Sequence, residues 1–224
     1  MTRWYTEKKK EHFYKEAKRT GYRARSAFKL QQIQNRFHCI PPNGIVVDLG
    51  AAPGGWSQVA LELVGEHGLV IGADLSTIQP LENVSFIRGD VTQSETIEQI
   101  KTLMNGKNAD VVLSDMSPNI SGNYSVDQAR SAWLCECALQ IADQLLKQNG
   151  NFICKIFEGE DTKEFLQKVK QRFTVVKTFS PEASRKSSSE VYIIAKVYKK
   201  PYKDDGRFIK HTDERVYYIG ADIS

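Results

Sequence analysis

Short apolar runs separated by stretches of helical periodicity fill the chain from about residue 45 onward. The runs Ile45–Leu49, Leu69–Ala73, Val84–Ile87, Val111–Asp115, Phe152–Phe157, Thr174–Thr178 and Val191–Val197 read as strands. Between them, Trp56–Val64, Ser94–Met104, Val126–Gln148 and Thr162–Arg172 read as helices. Strands that are almost continuously apolar suit a sheet covered on both faces. The alternation therefore predicts an α/β fold with a doubly wound, mostly parallel sheet. Upstream the pattern changes: residues 5–20 and 24–37 carry helical periodicity on a basic background, and Pro41-Pro42 stops the second stretch. Downstream of Tyr198 no strong period survives. The expected organisation is a basic helical extension over 1–40, an α/β domain over 41–198 and an appendage over 199–224.

Composition narrows the function classes. With 41% hydrophobic and 26% charged residues in 224, the chain has ordinary globular usage, which excludes a disordered protein. No apolar run approaches the ~20 residues of a membrane span. The charged segment Met1–Lys10 is unlike a signal peptide, so a cytoplasmic protein is expected. Four cysteines (Cys39, Cys135, Cys137, Cys154) are too few and too scattered for a disulfide framework. His12, His38, His67 and His211 form no ligand cluster, and no metal is expected.

The net charge of +4 hides an asymmetry. Residues 1–30 carry ten Lys/Arg against three acids, which leaves 21 basic and 24 acidic residues for the remainder. Trp4, Tyr5, Phe13, Tyr14, Tyr22 and Phe28 are interleaved with those cations. Cations pair with phosphates and exposed rings stack on unpaired bases, so the segment suits RNA. The competing reading is an amphipathic helix whose aromatics tuck into the core.

The glycine-rich turn Asp48-Leu49-Gly50-Ala51-Ala52-Pro53-Gly54-Gly55-Trp56 ends the first strand and opens a helix. Small residues there let a ligand approach the backbone, and the helix start offers unpaired N–H groups. Asp74 closes the second strand, where an acid can hold ribose hydroxyls. Asp90 follows the third, where an acid can accept from an adenine amine. A rim of carboxylates suits the cationic amine and sulfonium of S-adenosylmethionine better than the pyrophosphate of a dinucleotide.

Four further ionisable residues stand where strands or helices would aim them at such a ligand. Asp115 ends an apolar strand before Met116-Ser117-Pro118-Asn119, and Lys155 interrupts Asn151–Phe157. Lys29 lies in the second basic helix, and Glu190 opens the last long strand. A lysine inside an apolar strand needs a carboxylate partner or a task. Burial and Lys29 would lower the proton affinity of Lys155 while Asp115 and Glu190 would raise it, so it serves as base or as orienter.

Five motifs now meet in order. They are Tyr22-Arg23-Ala24-Arg25-Ser26-Ala27-Phe28-Lys29-Leu30; Asp48 through Gln58; and Ser114-Asp115-Met116-Ser117-Pro118-Asn119 with Ser121-Gly122. Then follow Cys154-Lys155-Ile156-Phe157-Glu158-Gly159, and Ser184-Arg185-Lys186 with Ser189-Glu190-Val191-Tyr192-Ile193. Together, from about Arg3 to Tyr198, they resemble the FtsJ/RrmJ family of RNA ribose 2′-O-methyltransferases. The resemblance implies a catalytic tetrad of Lys29, Asp115, Lys155 and Glu190. It implies S-adenosylmethionine contacts at Gly50, Gly54, Trp56, Asp74, Asp90 and Asp115. It also implies a Rossmann-like seven-stranded methyltransferase sheet whose last strands form an antiparallel hairpin. The expected substrate is a uridine in the A-loop of large-subunit ribosomal RNA, free or in the large subunit, acted on by a monomer. The alternatives are a methyltransferase of the tRNA anticodon loop, a non-catalytic RNA-binding assembly factor, and a Rossmann oxidoreductase.

Overall fold

The computed structural model describes residues 15–17, 19–184 and 189–199. Its elements run α1 (Ala27–Phe37), β1 (Ile45–Leu49), α2 (Gly55–Val64), β2 (Leu69–Asp74), β3 (Val84–Arg88), α3 (Ser94–Leu103) and β4 (Ala109–Ser114). They continue with α4 (Tyr124–Leu145), β5 (Leu146–Phe157), α5 (Thr162–Arg172), β6 (Phe173–Phe179) and β7 (Glu190–Tyr198). Of the basic stretch 5–20, residues 15–17, 19 and 20 are helical and the rest lies outside the described residues.

The strands form one seven-stranded sheet in the order β3-β2-β1-β4-β5-β7-β6. β1 to β5 pair in parallel, whereas β7 runs antiparallel to both β5 and β6. The order reverses between β1 and β4, and open α/β sheets bind ligands at such a switch point, outside the carboxyl ends of the strands.

Successive strand residues point to opposite faces, so each strand feeds two cores. On one face Val47, Ile71, Val112, Phe152, Cys154, Ile193 and Ala195 pack with Ile97 and Ile100 of α3, Leu134 and Ala138 of α4, and Phe165 and Val169 of α5. On the other, Val46, Val70, Val111, Leu113, Ile153, Tyr192 and Ile194 pack with Ala27, Leu30 and Ile33 of α1 and with Trp56, Val59 and Ala60 of α2. The alternation assigns Lys155, two residues after Ile153, to this second face, together with Asp48 and Tyr192. α1 lies on the same face, and Lys29 belongs to its buried stripe with Ala27, Leu30 and Ile33.

The largest departure from the sequence expectation falls at one pair of boundaries. The helix read as Val126–Gln148 ends at Leu145, and the strand read from Phe152 begins at Leu146. The polar run Lys147–Asn151 has no apolar period to betray a strand. Backbone pairing brackets it instead: Ala109 pairs with Leu146 and Val111 with Asn151, the register shifts between the two pairs, and Lys147 is ion-paired to Asp110.

Candidate active site

β4 and β5 are paired with Ser114 opposite Cys154, so Asp115 and Lys155 leave neighbouring strands at the same level. Asp115 is the first residue beyond β4. The Lys155 amine donates to the Asp115 backbone oxygen at 2.7 Å and lies 3.3 Å from Asp115 Oδ1. Both residues are buried.

The other half of the quartet comes from further away in sequence. Lys29 Nζ sits 2.8 Å from Glu190 Oε1, which also accepts from Ser184 Oγ at 2.8 Å. Two lysines and two carboxylates balance in charge, which is the condition under which such groups tolerate burial. Burial alone would raise the Glu190 carboxyl, but Lys29 and Lys155 hold it down at about 2. The two halves are joined by Tyr192. Its hydroxyl donates to Asp115 Oδ1 at 2.8 Å and lies 3.2 Å from Glu190 Oε1. Burial, and then Asp115 and Glu190, push the phenol well above its ordinary range, so it stays protonated as a donor. Its ring packs on Trp56 with centroids 5.6 Å apart.

Beside this quartet lies the glycine-rich turn. Gly50 has φ +73°, and a Cβ there would meet Met116 Cγ at 2.6 Å, so the turn and the loop after β4 approach as closely as a glycine permits. Gly54 has φ +108°, with Arg23 Nη1 2.8 Å from a Cβ placed there. Trp56, the second residue of α2, has its side chain buried and its indole N–H donating to Ser26 O at 2.8 Å, so what it offers a ligand is backbone at a helix start. Asp74, also buried, accepts from Ala52 N at 3.1 Å through Oδ2 and from Ser76 N at 2.7 Å through Oδ1. It braces the turn, and each carboxylate oxygen keeps capacity for a second donor. Asp90 stands beyond β3 in its own turn, where its Oδ1 accepts from the Thr92 N–H and hydroxyl at 2.8 and 2.7 Å.

Asp48 joins these acids. Its Oδ2 accepts from Ser57 Oγ at 2.7 Å, and its Oδ1 is buried without a hydrogen-bond partner among the described residues. Burial, followed by the charges of Asp115 and Asp74, pushes this carboxyl up to about 7. Acids that repel one another around a glycine cradle form a site that a cation would relieve, and the residues present fit the sulfonium and amine of S-adenosylmethionine.

Arg23 is placed differently from a phosphate-tracking cation. Its Nη1 and Nη2 donate to the carbonyls of Gln79 (2.5 Å) and Pro80 (2.7 Å), and its backbone N–H donates to Gln58 Oε1 at 2.8 Å. Tyr22 packs edge-on against Phe28 and its hydroxyl donates to Glu62 at 2.6 Å. These two rings and this guanidinium belong to the fold, in line with the core alternative for this segment. Trp4, Tyr5, Phe13 and Tyr14, and Arg185 and Lys186 of the last motif, lie outside the described residues.

Thus Lys29, Asp115, Lys155 and Glu190 converge, Gly50, Gly54, Trp56 and Asp74 frame the adjoining turn, and Asp90 stands at its far edge. Sequence reasoning gave no role to Tyr192 and Asp48. Asp48 was findable by the logic applied to Lys155, a lone charge in an apolar strand. Tyr192 was findable from the strand alternation once β7 is laid against β5, where it falls opposite Lys155.

No group of three or more His, Cys, Asp or Glu suited to a metal occurs among the described residues, and no helix among them is long and apolar enough to cross a membrane. Comparison with known proteins gives a consistent picture. The family model for FtsJ-like methyltransferases matches residues 22–198. A protein of Methanothrix thermoacetophila named ribosomal RNA large subunit methyltransferase E is 52% identical over 187 residues, covering 84% of this chain and 72% of that protein. A protein of the same name from Marinobacter nauticus is 46% identical, over 88% of this chain and 95% of its own length. Among solved structures, a Plasmodium falciparum protein provisionally described as a ribosomal RNA methyltransferase aligns with a TM-score of 0.73 at 29% identity, covering 80% of this chain and all of that one.

Proposed function

The chain belongs to the FtsJ-like methyltransferase family, and from that premise we propose that it methylates a ribose 2′-hydroxyl of RNA with S-adenosylmethionine as donor. The target we propose is a uridine in the A-loop of large-subunit ribosomal RNA; the names of relatives that align over most of their length support the large-subunit ribosomal RNA, and the uridine follows from the family resemblance alone. The observation that carries the reading is the buried Lys155 amine, fixed on two oxygens of Asp115 at the carboxyl end of the sheet beside the glycine cradle.

When bound, S-adenosylmethionine supplies a methyl carbon made electrophilic by its sulfonium. Gly50, Gly54, the backbone of Trp56, Asp74, Asp90 and Asp115 would hold it, with Asp48 adding to the negative field. The chain's own task is to position a poor nucleophile and remove one proton. Asp115 clamps the Lys155 amine from one side, which leaves it a further position for the ribose hydroxyl. In this reading Lys155 first releases its ammonium proton to solvent; the neutral amine then orients that hydroxyl and receives its proton as the methyl group is transferred. Lys29 steers the ribose, and Glu190 anchors Lys29.

Residues 1–40 serve in this proposal as a basic extension of the domain over 41–198: its α1 packs on the sheet and supplies Lys29, its cations before Arg23 track RNA, and 199–224 form an appendage of a cytoplasmic monomer. The test is to present large ribosomal subunits, naked ribosomal RNA and tRNA separately with labelled donor, and to map 2′-O-methylation. Label in the A-loop uridine is the expected result. Label in tRNA alone, or none anywhere, would overturn the proposal.

A further inference from the structure

Six large hydrophobic side chains are exposed among the described residues, and three of them, Ile120, Tyr124 and Val126, fall within one seven-residue stretch. That stretch leads from Asp115 into α4, at the same end of the sheet as the buried quartet. Ile120 is 66% exposed and Tyr124 63% exposed. Apolar surface gathered in this way marks a contact site.

The loop is held in shape. Asp127 Oδ1 accepts from both the N–H and the hydroxyl of Ser121 at 2.8 Å, and Asn123 caps α4 by accepting from Val126 N. Burial opposes ionisation of Asp127, yet the Ser121 donors hold it below the ordinary carboxylate range, so the clamp is charged at neutral pH. The Tyr124 ring is tethered as well: its hydroxyl donates to the backbone oxygen of Glu158 at 3.3 Å. Gln128 donates to the same carbonyl, and Gly159 leaves no room for a Cβ against the Gln128 side chain. The Glu158 N–H donates to Ser189 O at 2.8 Å. The hydroxyl end of Tyr124 is therefore fixed to the rim that carries Lys155 on one side and Glu190 on the other, while most of the ring stays open.

We propose that Tyr124, flanked by Ile120, is the platform on which the base of the methylated nucleotide stacks. A 2′-hydroxyl in a structured RNA is reachable when its nucleotide is unstacked, and a splayed base needs a new aromatic face. A ring fixed at one end and open on its face supplies it at little entropic cost. Only four residues separate Asp115 from Ile120, so base and ribose would be gripped by one loop.

This inference rests on the proposed RNA methylation, and the test separates the two. The full-length wild type is first assayed on the RNA it methylates; no methyl transfer there removes the function itself. With an active wild type, Tyr124→Ala should lower kcat/KM for RNA about tenfold, the range of one base–aromatic stack, with unchanged affinity for S-adenosylmethionine. Tyr124→Phe keeps the ring and should recover most of that loss. In a second arm the target nucleoside is replaced by an abasic ribose. Wild type should then fall about tenfold and Tyr124→Ala no further, because both changes remove the same contact. Wild-type kinetics for Tyr124→Ala, which would assign the patch to another partner such as a protein, or losses that multiply in the second arm, would overturn the platform.

Discussion

Lys155 and Tyr192 lie directly opposite one another across the β5–β7 pair, and their polar ends converge on a single atom, Asp115 Oδ1, at 3.3 and 2.8 Å. Facing residues of an antiparallel pair share a face of the sheet, so the register alone brings the amine and the phenol to one carboxylate. Tyr192→Phe deletes the donor and leaves the packing against Trp56 in place. A hydrogen bond to a charged group is worth about 1.5–3 kcal/mol, so methyl transfer should drop roughly tenfold or more while cofactor affinity holds. Unaltered turnover would show that Lys155 is positioned without this tyrosine.

Lys155→Ala should reduce methyl transfer by two to four orders of magnitude, the usual scale for a positioned proton acceptor (about 10²–10⁴-fold). Asp115 keeps its bond from Tyr192, so calorimetry should give a cofactor dissociation constant close to that of wild type. Substantial residual turnover would take Lys155 out of the chemistry.

Asp74→Ala removes the acceptor for the Ala52 and Ser76 amides as well as the proposed ribose contact. Two partly buried N–H groups lose a charged acceptor, and a hydrogen bond to a charged group is worth about 1.5–3 kcal/mol before water takes its place. The variant should melt earlier and bind S-adenosylmethionine at least roughly tenfold more weakly, by the same hydrogen-bond scale. A normal dissociation constant in the folded variant would refute the ribose-holding role.

Asp48 gives the fold a specific pH response. A carboxyl that titrates near 7 when folded and at 3.8 when free binds more protons in the folded chain between those values. Stability attributable to it therefore falls as pH rises through that window. Asp48→Asn has no such titration, so its melting temperature should gain on that of wild type between about pH 4 and pH 8, the span that brackets the two values. Parallel melting curves across that range would mean that folding leaves the proton affinity of Asp48 unchanged.

RNA affinity should fall steeply with added salt if the eight Lys/Arg of residues 1–30 other than Arg23 and Lys29 track phosphates. Deleting residues 1–14 should flatten that slope. A salt-independent dissociation constant for the intact chain would count against the role.

Much of the architecture was legible because two periods are written into the chain. Near-continuous apolar runs at Ile45, Val111 and Phe152 located buried parallel strands, and the Lys155 interruption was conspicuous against them. The start of β5 was not, because Lys147–Asn151 is polar and is bracketed by the pairings of Leu146 and Asn151 with β4, which no sequence period announces. Nor was the fate of Arg23 legible. A basic run looks the same whether its cations meet phosphates or, as in this fold, the carbonyls of Gln79 and Pro80.

The sequence by itself determined the alternation of strands and helices, the glycine-rich turn and the charged residues available for chemistry, since these depend on local period and residue type. Only the tertiary structure decided which charges meet. Lys29 and Glu190 are far apart in the chain and reach 2.8 Å because α1 packs on the sheet face from which Tyr192 and Lys155 project. It likewise decided that one Asp48 oxygen has no hydrogen-bond partner among the described residues and that Tyr124 keeps an open ring. Partnership and exposure depend on what the remainder of the chain brings alongside a residue, and neighbours in sequence do not fix that.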